Sequence, residues 1–136
     1  MNRFDASYMK MALVWAENSY SKRNKVGALV VKDNMIISDG FNGTPNGMDN
    51  CCEDSNDNTH WYTIHAESNA LMKLAKNSVS SIDSTLYVTL SPCKECSKLI
   101  LQSGIKRIVY LEEYRDTTGI DFLKSRGLLV EKITVD

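Results

Sequence analysis

Apolar and polar positions alternate with two different periods along this chain, and the change of period marks out its elements. Over residues 5 to 20, Met9, Leu13, Ala16 and Tyr20 recur at helical spacing, and Asp5 stands where a cap would open the helix. VGALVVK (26–32) and MIISDGF (35–41) read as two strands, joined by Asp33-Asn34 as a two-residue hairpin turn. Residues 42 to 63 are rich in Asn, Asp, Gly, Ser and Thr and read as one long loop, a kind of segment that is often functional. A helix is expected from His65 to about Lys76, with Ala70, Leu71, Leu74 and Ala75 on its apolar side. TLYVTL (85–90) reads as a strand. A helix then runs from Pro92 in its first turn to Ser103, closed by Gly104. RIVYL (107–111) is an apolar run, as in a strand covered on both faces. GIDFLKSRG (119–127) reads as a short helix and LLVEKITV (128–135) as a last strand. A hairpin followed by alternating helices and strands predicts a sheet with helices on both faces.

Composition narrows this little. The chain has 136 residues, 43% hydrophobic and 24% charged, which predicts one globular domain over 1–136. A net charge of −1 argues against a broad nucleic-acid-binding surface. Asp5, Lys10 and Glu17 break the first apolar run, so no signal peptide is expected, and no run of 18 apolar residues predicts a membrane span. Without such signals, Cys51, Cys52, Cys93 and Cys96 are expected as thiols or metal ligands in a cytoplasmic protein (host cytoplasm if viral) rather than as disulfides.

The chemistry concentrates at two expected helix starts. Cys93 and Cys96 are three apart, which sets both sulfurs on one side of a helical turn. His65 offers a nitrogen from another helix start. Two thiolates and an imidazole form a set that suits zinc, and three protein ligands leave one tetrahedral position open, as in catalytic sites. His65 and Glu67, two apart, differ by about 200° around a helix, so both reach one site only if it lies end-on over the helix N-terminus. The dipole there favours thiolates and hydroxide. Such a site lies beyond the carboxyl ends of the strands.

With Pro92 before Cys93, these residues form the H-x-E and P-C-x-x-C pattern of zinc-dependent nucleobase deaminases. Within that superfamily the chain most resembles the deoxycytidylate (dCMP) deaminases. The resemblance runs from about Ser21 to Tyr114, through SK (21–22), VGALVV (26–31), GFNGTPNG (40–47), NCCED (50–54), IHAESNAL (64–71), LYVTLSPCKEC (86–96) and QSGIKRIVY (102–110).

That resemblance implies a three-layer α/β/α sandwich around a mixed five-stranded sheet. It also implies hydrolysis of dCMP to dUMP and ammonia by a zinc-bound hydroxide, supplying dUMP for thymidylate synthesis. His65, Cys93 and Cys96 would hold Zn2+, and Glu67 would shuttle protons as base and acid. Asn42, the Ala66 amide, Ser21, Lys22 and Tyr114 match substrate contacts, with Arg23 or Lys25 able to assist at the phosphate. Thr44, Pro45, Asn46 and Gly47 match an effector loop for dCTP activation and dTTP inhibition in a homohexamer, where Mg2+ would accompany the triphosphate. Some relatives carry a second, structural zinc. Cys51 and His60 match part of that set, but no cysteine precedes Val26, so it is incomplete.

Other readings stay open at this stage. The tRNA adenosine deaminases and free-base deaminases share the zinc motif, but the first need a basic surface and the second no phosphate pocket. A non-catalytic, zinc-stabilised nucleotide scaffold is the remaining alternative, and Glu67 speaks against it.

Overall fold

The computed structural model describes residues 2–136. Four helices and five strands alternate: α1 (Asp5–Ala16), β1 (Gly27–Lys32), β2 (Met35–Phe41), α2 (Ala66–Lys76), β3 (Thr85–Leu90), α3 (Lys94–Ser103), β4 (Arg107–Glu112), α4 (Thr118–Ser125) and β5 (Leu129–Lys132). The strands form one mixed sheet in the order β2-β1-β3-β4-β5. β1 runs antiparallel to both β2 and β3, while β3, β4 and β5 are parallel.

The hairpin closes through Asp33 and Asn34, both at positive φ (52° and 61°), as a two-residue turn that matches strand twist requires. Alternation along β1 then divides the core. Ala28 and Val30 face one layer with Leu86, Val88, Ile108 and Tyr110, against α2, α3 and α4. Leu29 and Val31 face the other with Tyr87 and Val109, against Met9 and Ala12 of α1. The result is the expected α/β/α sandwich, with a single helix on one face. Ile108, Val109 and Tyr110 are all buried, as a strand covered on both sides demands.

Among the described residues no helix is long and apolar enough to cross a membrane.

Several boundaries differ from the expectation for physical reasons. α1 stops at Ala16, and Glu17 to Ser19 turn away through i−3 hydrogen bonds, leaving Tyr20 66% exposed outside the helix. Asp5 does not cap α1. Phe4 holds the N-cap position without a side-chain bond, and the Asp5 carboxylate lies buried against Arg107 and Tyr87. Ala75 is exposed, since the buried stripe of α2 passes through Ala66, Ala70 and Leu74. Pro92 lies one residue before the N-cap of α3, which is Cys93, so the proline directs the chain into the helix from outside it. α4 ends at Ser125, and β5 is limited to four residues that pair with β4.

Glycine matters most at Gly40. A Cβ there would sit 2.4 Å from the Ala66 carbonyl oxygen, so its absence lets the first turn of α2 lie directly on the end of β2. Ser38 Oγ adds a 2.7 Å hydrogen bond to the Ala70 carbonyl, and Asn69 Nδ2 donates to Phe41 O at 2.8 Å. The start of α2 is thereby pinned in position and direction.

Candidate active site

Topology brings four chain segments to one end of the sheet. Parallel β3 and β4 end there, at Leu90 and Glu112. Because β1 is antiparallel to β3, the start of β1 and the end of β2 lie at the same edge. A cleft of about 440 Å³ opens there, lined among others by Val26, Asn42, His65, Glu67, Cys93 and Tyr114.

His65 is the N-cap of α2 and Cys93 the N-cap of α3, so two helix starts converge, as the spacing predicts. The His65 Nδ1 atom lies 3.5 Å from Cys93 Sγ and 3.3 Å from Cys96 Sγ, and the three donor atoms all fall within 4.8 Å of one another. A tetrahedral zinc site with bonds of about 2.3 Å to sulfur and about 2.0 Å to nitrogen requires an N···S edge of about 3.5 Å. The donor set fits that ion in both chemistry and spacing, and these three residues are the candidate zinc ligands.

Electrostatics at the site follow from the contacts among the donor groups and from their burial. The Cys93 thiol is pushed below its ordinary range, first by the hydrogen bond shared with Cys96 and further by His65 and the Cys96 amide. Cys96, more deeply buried, is pushed up by the same shared proton and by burial. His65 is raised, chiefly by its contact with Cys93. Ser68 Oγ stands 3.6 Å from Cys96 Sγ.

Glu67 lies in the first turn of α2 and is only 4% exposed. Burial pushes its carboxyl up to about 7, against the opposing pull of its own backbone amide and of His65. A carboxyl that titrates near neutrality can both accept and release a proton at working pH.

The remaining expected residues divide. Asn42 reaches the cleft, but its Oδ1 accepts from the Val26 amide at 2.9 Å and its Nδ2 donates to Asn24 O at 2.8 Å. One N–H and one lone pair remain for a ligand. Ser21 and Tyr114 line the cleft, and the Tyr114 amide donates to Ser91 Oγ at 2.7 Å. Lys22 does not line it; Arg23, Asn24 and Arg115 do. Thr44, Pro45, Asn46 and Gly47 form a turn apart from the cleft, with Gly47 at φ 86° and the Met48 amide bonded to Pro45 O. Cys51 donates to Glu53 O at 3.0 Å, and His60 stacks on Tyr62 at 4.8 Å. Among the described residues His65, Cys93 and Cys96 are the one group that gathers three metal-binding atoms.

Two residues at the site gave little sequence signal of their own. Arg115 follows a matched tyrosine but belongs to no periodic pattern. Glu53 stands inside the NCCED stretch, where an acid in a polar loop resembles any solvated carboxylate. Only the fold shows it to be buried.

A three-layer α/β/α domain with a His-Cys-Cys donor set and a buried glutamate at two helix starts defines the class of zinc-dependent deaminase folds. The model of the cytidine and deoxycytidylate deaminase zinc-binding region matches residues 2–112, and the chain belongs to that family. It is 35% identical over 142 residues to deoxycytidylate deaminase of Saccharomyces cerevisiae, covering 96% of this chain and 45% of that one. It is 39% identical over 111 residues to a probable deoxycytidylate deaminase of Caenorhabditis elegans, covering 77% of this chain and 55% of that one. The chain thus spans about half the length of both relatives. The crystal structure of dCMP deaminase from cyanophage S-TIM5 in complex with dCMP and dUMP matches with a TM-score of 0.94 and 47% identity, over 98% of this chain and 99% of that one.

Proposed function

We propose that the chain hydrolyses dCMP to dUMP and ammonia, so that a C4–O bond forms as the C4–N4 bond breaks. The observation that carries this reading is Glu67, a carboxyl buried beside the His65, Cys93 and Cys96 donor set, in a fold that matches a dCMP deaminase over 98% of this chain. His65, Cys93 and Cys96 would hold one zinc ion per chain. When bound, zinc lowers the pKa of a coordinated water to about 7 and so supplies a nucleophile at neutral pH.

The chain's own groups do the rest. Glu67 would accept a proton from water and deliver it to N3 of the cytosine ring, then take the remaining proton of the hydroxyl added at C4 and pass it to the 4-amino nitrogen, which leaves as ammonia. The first-turn amide of Ala66, which has no helical partner, holds the base edge. Asn42 offers its remaining N–H and lone pair to the sugar, and the half-buried Tyr114 covers the nucleotide from the end of β4. Ser21 and Lys22 belong to the loop that meets the 5′-phosphate, with Arg23 and Arg115 supplying cations at the wall.

Regulation is part of the proposal. Thr44 to Gly47 would form the dCTP and dTTP effector loop, with Mg2+ on the triphosphate, in a homohexamer. Rate curves with and without dCTP test this, and superimposable hyperbolic curves reject it. Ammonia release from dCMP, deoxycytidine, cytosine and an anticodon stem-loop tests the activity itself. Turnover of dCMP at least tenfold above the others is expected, and equal or greater turnover of any rival substrate overturns the reading.

A further inference from the structure

One buried acid takes no part in this chemistry. Glu53 is 3% exposed, and its Oε2 accepts hydrogen bonds from Ser21 Oγ at 2.9 Å, the Lys22 amide at 2.9 Å and the Arg23 amide at 3.3 Å. Among the described residues its buried Oε1 has no hydrogen-bond partner. Burial works against the charge, but those three donors and the Lys22 cation hold the carboxyl below its ordinary range, so it is ionised at neutral pH. A buried carboxylate with one orphan oxygen is costly, so its place in the fold calls for an explanation.

Its three donors are consecutive residues of the segment between α1 and β1, which has no regular secondary structure to hold it. The far side of the same segment is fixed by Asn42, through Asn24 O and the Val26 amide. Glu53 and Asn42 therefore clamp residues 21 to 26 from two sides. Between the clamps, Ser21, Arg23 and Asn24 form one wall of the cleft, with Arg115 also lining it. Because Glu53 takes up the Lys22 and Arg23 amides, that wall meets an anion with side chains rather than with backbone.

We propose that Glu53 is a positioning residue for substrate specificity: by gathering Ser21, Lys22 and Arg23 on one carboxylate oxygen, it sets the Arg23 side chain where a nucleotide 5′-phosphate docks. The proposal rests on the reading of the cleft as a nucleotide site and deepens it. It predicts that loss of Glu53 removes discrimination between a nucleotide and its nucleoside while sparing the chemistry at the base.

The test is calorimetric binding of dUMP and of deoxyuridine to the zinc-loaded protein, with kinetics on dCMP and deoxycytidine beside it. Wild type should bind dUMP far more tightly than deoxyuridine. Glu53→Ala should cut that preference at least tenfold and raise KM for dCMP at least tenfold. Its kcat should stay within about twofold, and kcat/KM for deoxycytidine should not change. Glu53→Gln, which keeps an acceptor oxygen for the three donors, should restore the preference to within about threefold of wild type. Should Glu53→Ala not fold, Glu53→Asp, whose shorter side chain draws the carboxylate back from the Lys22 and Arg23 amides, serves instead and should show the same selective loss. An unchanged dUMP preference in either folded variant, or an equal loss for nucleotide and nucleoside, overturns the proposal, as does a wild type that binds the two alike. Because binding is read without turnover, a wild type that prefers dUMP yet fails to deaminate dCMP rejects the proposed activity and leaves this inference tested on its own.

Discussion

Asp5 and Glu67 are both acids in the first turn of a helix, both are buried, and they end in opposite states. Asp5 receives two nitrogens of Arg107, at 2.6 and 3.0 Å, the Tyr87 hydroxyl at 2.6 Å and the Asn2 amide at 3.0 Å. Burial alone would raise its pKa, but these partners together lower it. Glu67 has no cationic side chain of that strength, so burial wins and its carboxyl rises to about 7. Solvation is lost in both cases; what differs is the number of donors and the full cation that Arg107 places beside Asp5. A fully partnered acid is a fixed charge that locks α1 onto the sheet. An under-partnered one is a proton carrier at physiological pH.

Exchanging the carboxyl for an amide at Glu67 should have the largest effect. Glu67→Gln is expected to lower kcat by about 10²–10⁴-fold while zinc, measured by metal analysis, stays at one per chain. Activity within tenfold of wild type would break the contrast between the two acids. Next comes Arg107→Met, which strands Asp5 as a buried charge and should cost about 3–5 kcal/mol in denaturant unfolding, with kcat per folded molecule preserved. Tyr87→Phe removes one donor to the Asp5 carboxylate and should cost about 1.5–3 kcal/mol in the same experiment.

The gentlest test is acid titration. The folded-state pKa of Asp5 lies below its ordinary 3.8, so its stabilisation is complete above that value and is lost as pH falls through the folded pKa. Wild-type stability should therefore fall more steeply below about pH 4 than that of Asp5→Asn. Parallel acid limbs would show that Asp5 gains nothing from its partners.

The two acids also differ in how far their roles could be read from the chain. Glu67 was legible because its chemistry is local: His65 lies two residues away, and the C-x-x-C pair marks the other half of the site. Asp5 read as a helix cap because its partners Arg107 and Tyr87 are 102 and 82 residues distant. Glu53 was silent for the same reason, its three donors standing 30 to 32 positions earlier in a segment without periodicity. The succession of helices and strands and the two-sided core followed from periods of two and 3.6, which neighbouring residues alone determine, whereas the order of strands across the sheet rests on pairings between distant segments. Helix ends followed less well. Polar Glu17 and Asn18 fit a solvated helix face as readily as a turn, so nothing in the pattern stops α1 at Ala16.

The placement of the donor set has a thermodynamic corollary. His65 caps one helix and Cys93 another, so the three donor atoms meet only when α2 and α3 are both docked on the sheet. An unfolded chain scatters them and binds the ion far more weakly. Metal occupancy and global melting are then linked quantities: each tenfold increase in free zinc above its dissociation constant adds about 1.4 kcal/mol to the native state. A melting curve recorded across zinc concentrations thus serves as a titration of the site, readable without any substrate.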